Sequence, residues 1–317
     1  MATIGQALTA ATSRLQGAGS PSPRLDAELL LGHVVGLDRA AVVAHPEVVL
    51  GADHAARFDA FVERRAGGEP VAYIREVKEF YGVALGIDAR ALIPRPETEL
   101  LVELAIARTR SALGARPRPA GAPPFRILDL GTGSGAIAIA MARALRRARY
   151  GDAVRFTATD ISEAALALAV ENAVAQGVAD MIDFRVADLL SSAVQVDGSP
   201  DLIAANLPYV ASTVIDELGP AIAFEPRIAL DGGPDGLDVI RRCLDELPTV
   251  LAVDGCALLE IGADQVADLS AAVAASLPGW TQAVHRDLAG RPRVLELDRA
   301  SAAGGAGSVE RPDPGRS

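Results

Sequence analysis

Metal-binding residues are scarce in this sequence of 317 residues. It contains two cysteines, Cys243 and Cys256, which lie 13 positions apart without a nearby histidine pair. That is not the spacing of a zinc site, so we expect two free, buried cysteines and no bound metal. The four histidines are too scattered to form a catalytic group, and we interpret them as surface or core residues: His33, His45, His54 and His285.

Positive charge is scarce as well. The formal net charge is -11, and acidic residues outnumber basic ones both in the first 90 residues (11 against 9) and in the remainder (30 against 21). Proteins that grip long nucleic acids usually carry a basic surface. We therefore expect no stable nucleic-acid binding, and the composition leaves open only a local arginine patch.

Long apolar runs and export signals are also missing. No uninterrupted run of about 18 apolar residues occurs, as a membrane-spanning helix would require. The longest uncharged segment, residues 269–284, contains Pro278-Gly279. The first residues do not have the pattern of a signal peptide. We expect a cytoplasmic protein that does not bind membranes.

Residues 1–75 have the spacing of helices rather than of strands. Leu25, Leu29, Leu30, Val34 and Val35 recur on one predicted helix face, which should point to a core. Beyond residue 73 the pattern changes. Residues 80–87 look like a strand and residues 91–93 like its return strand, which predicts a β-hairpin between two domains.

Strand and helix signals alternate from residue 125 onwards. Strands are predicted at 125–130, 154–159, 182–187, 201–205, 255–261, 280–286 and 292–297, with helices in most of the gaps. Such alternation produces a mainly parallel sheet. We predict an α/β fold with a seven-stranded, mostly parallel, doubly wound, Rossmann-like sheet. The predicted division is a helical domain for substrate recognition (1–75), a hairpin linker (76–94), the sheet domain (95–298) and a disordered tail (299–317).

A glycine-rich turn follows the first predicted strand of this sheet. The turn is Gly131-Thr132-Gly133-Ser134-Gly135, and its glycines let a backbone approach a ligand closely. The same residues, with Ala136, also fit a dinucleotide fingerprint. An NAD-dependent oxidoreductase is therefore an alternative at this point.

Acidic residues follow the next two strands. Asp160 lies where a carboxylate can accept both ribose hydroxyls of a nucleoside. Its alternative role is to cap the helix that follows. Asp188 ends the third strand, where it can accept a hydrogen bond from an adenine amino group while Leu189 packs on the ring.

The fourth strand ends in Asn206-Leu207-Pro208-Tyr209. Open α/β sheets bind ligands at this edge. An asparagine carbonyl and a nearby backbone carbonyl can accept two hydrogen bonds from one NH2 group, and a tyrosine ring can stack on the flat group that carries it. These residues predict a binding site for a planar amide or an aminopurine.

Together these strand ends resemble those of class I S-adenosylmethionine-dependent methyltransferases. The chain is more specifically similar to the protein-(glutamine-N5) methyltransferases that modify peptide chain release factors, over about residues 20–297. Residues 93–99 are highly specific for that family. The resemblance is carried by residues 25–30, 69–74, 78–82, 92–99, 206–209, 224–233 and 260–262.

This resemblance implies methyl transfer from S-adenosylmethionine, which becomes S-adenosylhomocysteine. The acceptor would be the side-chain nitrogen of the glutamine in the Gly-Gly-Gln loop of a release factor. The implied catalytic and substrate-binding residues are Asn206, Leu207, Pro208 and Tyr209. The implied cofactor-binding residues are Gly131, Thr132, Gly133, Ser134, Gly135, Asp160, Asp188, Leu189 and Asn206.

Leu207 departs from the family, which usually has proline there. The Asn-Leu-Pro-Tyr spelling resembles the ribosomal RNA adenine dimethyltransferases, so adenine-N6 methylation of ribosomal RNA is an alternative. Others are glutamine methylation of another protein, such as a ribosomal protein, and a non-enzymatic S-adenosylmethionine-binding module. The leading helical domain and the negative charge favour a release factor. In the glutamine methyltransferase family, the residue at the position of Leu207 contributes its backbone carbonyl, which leucine also has.

Three further segments have two interpretations each. Residues 94–99 either wall the cofactor pocket and shape the substrate entrance or form a rigid connector with helix caps. Glu225 and Arg227 either pair with each other or help to close the pocket. The N-terminal helices either recognise the protein partner or serve only as a scaffold.

Overall fold

The computed structural model describes residues 2–114, 122–190 and 198–299. Its helices are Ile4–Gly17 (α1), Pro23–Val35 (α2), Arg39–Ala44 (α3), Ala52–Ala66 (α4), Val71–Arg75 (α5), Thr98–Gly114 (α6), Ala136–Arg147 (α7), Glu163–Ala175 (α8), Asp238–Val250 (α9) and Val266–Ser276 (α10). Its strands are Val77–Phe80 (β1), Val83–Gly86 (β2), Phe125–Leu130 (β3), Val154–Asp160 (β4), Ile182–Val186 (β5), Leu202–Ala205 (β6), Cys256–Glu260 (β7), Thr281–Arg286 (β8) and Pro292–Asp298 (β9).

The five N-terminal helices enclose a core of their own. Helix α1 begins with a capping box, in which the side chain of Thr3 accepts from the backbone of Gln6 and the side chain of Gln6 accepts from that of Thr3. The buried face of α2 includes Leu30, Leu31 and Val34. Leu25 is 39% exposed, so the prediction that it points to the core is wrong. The buried stripe lies about one position further along the helix.

The hairpin forms, but with different strands from those predicted. β1 and β2 pair antiparallel, with Phe80 opposite Val83, and the residues between them, Tyr81 and Gly82, both have positive φ. The turn therefore falls inside the segment predicted as one strand. Residues 91–93 are not a strand. Ala91 and Ile93 instead pack with Tyr73 and with Leu168 of α8, joining the two parts of the chain.

The Asn172 side chain is bonded to both the hairpin and the glycine turn. Asn172 of α8 accepts from the Gly86 amide (2.7 Å) and donates both to the Gly86 carbonyl (3.0 Å) and to the Ser134 carbonyl (2.9 Å). Asn172 is buried, and losing buried hydrogen bonds of this kind leaves polar groups unpaired at a cost. The hairpin and the glycine turn are thus held against the same amide.

The second part is a seven-stranded sheet in the order β5-β4-β3-β6-β7-β9-β8. Strands β3 to β7 run parallel, and β9 is antiparallel to both β7 and β8. Apolar clusters pack on the two faces, one including α6 and α7 and the other α9 and α10. The predicted α/β class and seven-stranded, mostly parallel sheet are confirmed. The predicted domain boundaries stay a prediction.

Other expectations have mixed outcomes. Cys243 and Cys256 are free and buried, as predicted. Helix α7 begins at Ala136, directly after the glycine turn, which extends to Gly135. Among the described residues, no helix combines the length and the apolar character needed to cross a bilayer. The predicted disordered tail lies outside the described residues except for Arg299.

Candidate active site

The sheet opens into a cavity at the carboxyl ends of its central strands. β3 has β4 on one side and β6 on the other, so the chain reverses direction across the sheet between them. In open α/β sheets, ligands bind in the crevice at such a reversal. The cavity measures about 300 Å³, and residues that follow β3, β4, β5 and β6 all line it. Its lining includes most of the residues selected from the sequence.

The glycine turn forms one wall of the cavity. Gly131, Thr132, Gly133 and Ser134 line it. Gly133 has φ 55°, and a Cβ there would meet no atom within 4 Å, so its backbone faces open space. Gly135 is not among the lining residues. Gly135 has φ 82°, a left-handed conformation that favours glycine, and a Cβ there would lie 3.2 Å from the Cβ of Ala169 on α8.

The side chain of Asp129, near the end of β3, holds the glycine turn in place through hydrogen bonds. Its Oδ2 accepts from the Thr132 hydroxyl (2.7 Å) and from the Ala138 amide (3.0 Å). The carboxyl is almost completely buried, and this burial raises the pKa of Asp129 to about 6. The turn is therefore set by a buried side chain from the strand that precedes it.

Asp160 links the first two strand ends. One carboxylate oxygen accepts from the Gly133 amide (2.8 Å) and the other from the Ser162 amide (2.9 Å). A carboxylate has about four acceptor positions, which leaves further capacity toward the cavity that Asp160 lines. The N-cap of α8 is Ser162 rather than Asp160. The capping alternative for Asp160 is therefore wrong.

The third strand end places Asp188 and Leu189 in the cavity wall. Leu189 is buried and has φ 49°, a left-handed conformation that turns the backbone sharply. Asp188 pairs with Arg242 of α9 at 2.8 Å, and Arg242 also lines the cavity. The residues at these three strand ends (Gly131–Ser134, Asp160, Asp188 and Leu189) are called the cofactor half below.

The fourth strand end supplies the acceptor half, residues 206–209. Asn206, Leu207 and Pro208 line the cavity, whereas Tyr209 is not among its described lining residues. The Asn206 Nδ2 donates to the Thr98 hydroxyl (3.2 Å). Within the described residues, no hydrogen bond is formed by Asn206 Oδ1 or by the Leu207 carbonyl. Both oxygens therefore remain available as acceptors, on two consecutive residues that line the cavity.

Tyr209 is held by a buried carboxyl. Its hydroxyl donates to Oε1 of Glu260 at 3.3 Å. Burial, and the neighbouring negative charge of Glu260, raise the pKa of Tyr209, so the phenol stays protonated. Burial raises the pKa of Glu260 to about 7, against hydrogen bonding from Thr98 and Tyr209, which lowers it. A carboxyl without charge compensation therefore lies beside the acceptor half.

A glycine-rich loop supports the backbone of the acceptor half from the other side. A Cβ on Gly232 would lie 2.8 Å from the Pro208 carbonyl, and one on Gly236 would lie 2.4 Å from the Tyr209 carbonyl. The Gln265 side chain donates to that same Tyr209 carbonyl (2.9 Å) and accepts from the Gly262 amide (2.9 Å). Only residues without a Cβ permit this close packing.

Residues 94–99 contribute to the cavity wall and lead into helix α6, whereas their role in shaping a substrate entrance stays a prediction. Pro94 and Thr98 line the cavity, and Thr98 is also the first residue of α6. Glu225 accepts from the Ile93 amide (3.0 Å) and from Arg95 (2.5 Å), which closes the segment against the loop after β6. The alternative that Glu225 pairs with Arg227 is wrong, because Arg227 pairs with Asp216 and Asp231.

One group of potential metal ligands occurs away from the cavity. Cys256, Glu296 and Asp298 place ligand atoms within 4.8 Å of one another. Arg108 pairs with both carboxylates, so a fixed cation already lies against the group. His285 also contacts Glu296 (2.5 Å). This is a structural ion network and not a candidate for the chemistry of the cavity.

Several residues that shape the site were not assigned a role from the sequence. The sequence indicates Thr98 only as part of residues 94–99 and Glu260 only as part of residues 260–262. Their contacts cross 108 and 51 positions of the chain respectively, a distance at which no local pattern indicates contact. Those residues are Thr98, Asn172, Arg242, Glu260 and Gln265.

Fold and site together define a class I methyltransferase. A family model described as "Methyltransferase domain" matches residues 127–221. Among solved structures, the human METTL16 catalytic domain in complex with MAT2A 3′UTR hairpin 1 has a TM-score of 0.54 at 14% identity, covering 81% of this chain and 84% of that one. This likeness concerns the fold alone.

Matches over nearly the whole chain are more specific. The model "PrmC N-terminal domain" matches residues 6–75. The release factor glutamine methyltransferases of Deinococcus radiodurans and Koribacter versatilis are each 39% identical to this chain, and each match covers 92% of this chain and 97% of the relative. The chain belongs to the release factor glutamine methyltransferase family.

Proposed function

We propose that this enzyme methylates the side-chain nitrogen of the glutamine in the Gly-Gly-Gln loop of a peptide chain release factor, with S-adenosylmethionine as the methyl donor and in the cytoplasm. The observation that carries the proposal is the pair of available acceptor oxygens, Asn206 Oδ1 and the Leu207 carbonyl, at the edge of a nucleoside-sized cavity. Membership of the family supports the choice of substrate.

The cofactor half fits a nucleoside with an amino-acid chain. The open space at Gly133 admits a ligand against the backbone, and Asp160 has free acceptor positions for ribose hydroxyls. Asp188 and Leu189, which line the cavity, would contact an adenine edge and face. No described residue of the cavity requires a metal for these roles.

The acceptor half is suited to orienting an amide. When bound, S-adenosylmethionine supplies an activated methyl group whose departure leaves a neutral thioether. An amide nitrogen is a poor nucleophile because its lone pair is delocalised into the carbonyl. Asn206 Oδ1 and the Leu207 carbonyl would accept the two N–H bonds, which holds the nitrogen in line for attack and favours its tetrahedral form. Such positioning supplies a large part of many rate enhancements.

Leu207 fits this role although the family usually has proline there. The side chain is buried, with Cδ2 3.3 Å from the position of a Cβ on Gly131. Packing therefore fixes the peptide that proline would fix by its ring. Only the backbone carbonyl is needed for the substrate, and leucine has one.

A strong base is not required in this mechanism. The nitrogen becomes acidic once it has been methylated and releases its proton after the transfer. This accounts for a site without histidine: of the four, none lines the cavity in the part of the chain that the structure describes. Tyr209, whose hydroxyl is bonded to Glu260, would limit the space beside the plane of the substrate amide.

The decisive experiment measures transfer of labelled methyl groups to three acceptors. They are a purified release factor, the same factor with the loop glutamine changed to alanine, and ribosomal RNA. We expect label in the intact factor alone. Label in RNA and not in protein would overturn the assignment in favour of adenine methylation, which the Asn-Leu-Pro-Tyr spelling favours. Label in both protein forms would place the methyl group on another side chain.

Binding experiments separate the remaining alternatives. Titration with S-adenosylhomocysteine and with NAD should give binding to the former alone, and binding of NAD alone would indicate an oxidoreductase. A ribosomal protein as a fourth acceptor tests the other protein substrate. Binding of S-adenosylhomocysteine without transfer to any of these acceptors would support a non-enzymatic module.

A further inference from the structure

The orientation of the Asn206 amide is the central requirement of the proposed function. Its oxygen must face the cavity and its NH2 group must face away, because a flipped amide would present two donors to a substrate NH2 group. The Asn206 Nδ2 lies 3.2 Å from the Thr98 hydroxyl. A hydroxyl both donates and accepts, so Thr98 by itself allows either orientation of the amide.

A second group must therefore fix the direction of the Thr98 hydroxyl. Glu260 is only 1% exposed and is absent from the described lining of the cavity. Its Oε1 accepts from Tyr209, and its buried Oε2 has no hydrogen-bond partner within the described part of the chain. The Thr98 hydroxyl lowers the pKa of this carboxyl, and the unpaired Oε2 is the acceptor position open to it.

We propose that Glu260 is a positioning residue that fixes the acceptor half through two hydroxyl groups, those of Thr98 and Tyr209. Above its pKa of about 7 the carboxyl is ionised and only accepts hydrogen bonds, so it takes the single hydrogen of Thr98. The Thr98 oxygen can then only accept, which turns the Asn206 NH2 group toward it and the Asn206 oxygen toward the cavity. The inference rests on the proposed role of Asn206 and adds the residue that enforces it.

Charges around the carboxyl are consistent with a positioning role. Arg293 lowers the pKa of Glu260, and Glu97 raises it. Arg293 itself pairs with Asp287 (2.9 Å) and lies 3.8 Å from Glu97. No cation is bonded directly to Glu260 among the described residues. Its two hydroxyl neighbours are thus its main hydrogen-bonding partners, and their directions depend on it.

The test uses substitutions that preserve shape but change hydrogen bonding. Glu260→Gln places an NH2 group that can donate to Thr98, which releases the Thr98 hydrogen toward Asn206. Thr98→Val removes the hydroxyl, and Thr98→Ser retains it. Using a release factor as acceptor, we expect E260Q and T98V to lower kcat about 10- to 100-fold with KM changed less than about threefold. T98S should stay within about threefold of the parent enzyme.

Matched controls separate positioning from general packing. Thr109 lies on the same helix, is buried, and donates its hydroxyl to the Ala105 carbonyl. Glu28 is a buried glutamate that pairs with Arg24 and Arg39 in the N-terminal helices. T109V and E28Q should therefore leave kcat within about twofold. S-adenosylhomocysteine affinity should be unchanged in all the variants.

Three results would contradict the inference. The first is a kcat within twofold of the parent for both E260Q and T98V while Asn206→Ala is inactive; the proposed function would then stand without this role for Glu260. The second is an equal loss in T98S and T98V. The third is a double variant, T98V/E260Q, whose loss of kcat is the product of the two single losses. Substitutions in one hydrogen-bonded series should not have additive effects on the activation free energy.

If T98V fails to fold, the comparison of kcat between E260Q and its control E28Q tests the inference. Near-normal turnover of N206A would instead contradict the proposed function itself.

Discussion

The two halves of the site are built in different ways. In the cofactor half, Asp160 bonds to backbone amides 2 and 27 positions away, and Asp129 supports the glycine turn through groups 3 and 9 positions away. Asp188 differs, since it pairs with Arg242, 54 positions away. In the acceptor half, Asn206 and Tyr209 bond to groups 51 to 108 positions away. Neighbouring sequence thus shapes most of the first half, whereas the second half depends on α6, β7 and the start of α10 being in place.

The largest effect should come from removing the amide of the acceptor half. Asn206→Ala deletes one of the two oxygens that orient the substrate nitrogen, and we expect turnover to fall at least about 1,000-fold. Affinity for S-adenosylhomocysteine should stay within about threefold, because the cofactor half is held by its own hydrogen bonds. Steady-state kinetics with a release factor and calorimetric titration measure the two quantities. Near-normal turnover would show that Asn206 does not grip the substrate.

The second effect concerns pH and the stability of the acceptor half. The pKa of Glu260 rises from 4.5 to about 7 on folding. As pH increases through this interval, the unfolded chain releases a proton that the folded chain retains, so the free energy of unfolding decreases. We expect the parent enzyme to lose about 3 kcal/mol more than Glu260→Gln between pH 4.5 and 8. Urea unfolding at several pH values measures this, and parallel curves for the two proteins would contradict it.

The third effect tests the cofactor half alone. Asp160→Asn removes the charge that accepts from the Gly133 and Ser162 amides. Hydrogen bonds to charged groups contribute about 1.5–3 kcal/mol, so S-adenosylhomocysteine should bind roughly 30-fold more weakly. Asp183→Asn is the control, since Asp183 is an exposed residue on β5 that pairs with Arg185. Equal affinities in the two variants would show that Asp160 does not contact the ligand.

The smallest effect tests the loop behind Tyr209. Gly236 and Gly290 have nearly the same φ, 79° and 76°, but a Cβ would lie 2.4 Å from the Tyr209 carbonyl at Gly236 and would meet nothing within 4 Å at Gly290. Alanine adds similar backbone strain at both positions. Gly236→Ala should therefore cost about 1 to 2 kcal/mol more than Gly290→Ala, measured by urea unfolding. Equal costs would mean that the loop is free to move away from Tyr209.

Most of the fold and the cofactor half could be predicted from the sequence. Strand β3 and its turn, residues 125–135, form one continuous local pattern, and Asp160 and Asp188 come directly after apolar strands. Parallel strands then bring these ends to one edge without further information. The sheet order and its two antiparallel pairings at β9 follow from packing and not from any single segment.

The supports of the acceptor half could not be predicted in the same way. Glu260 lies in an apolar strand, and nothing beside it in the sequence indicates that Tyr209 will contact its carboxyl. The hairpin turn at Tyr81 and Gly82 was missed because the residues around it are as apolar as those of a single strand. The buried face of α2 differs from the predicted face by about one position, because its leucines are compatible with two neighbouring apolar faces of the helix. In each case tertiary packing selects between local patterns of similar quality.

Asn172 has a consequence for how the molecule opens. One amide joins the Gly86 backbone of the hairpin to the Ser134 carbonyl of the glycine turn. If the hairpin separates, the turn loses a partner in the same event, so we expect the two movements to be coupled. Amide hydrogens of β2 and of the start of α7 should then exchange with solvent together, as one cooperative unit. A ligand that tightens the turn would slow exchange in the hairpin without touching it.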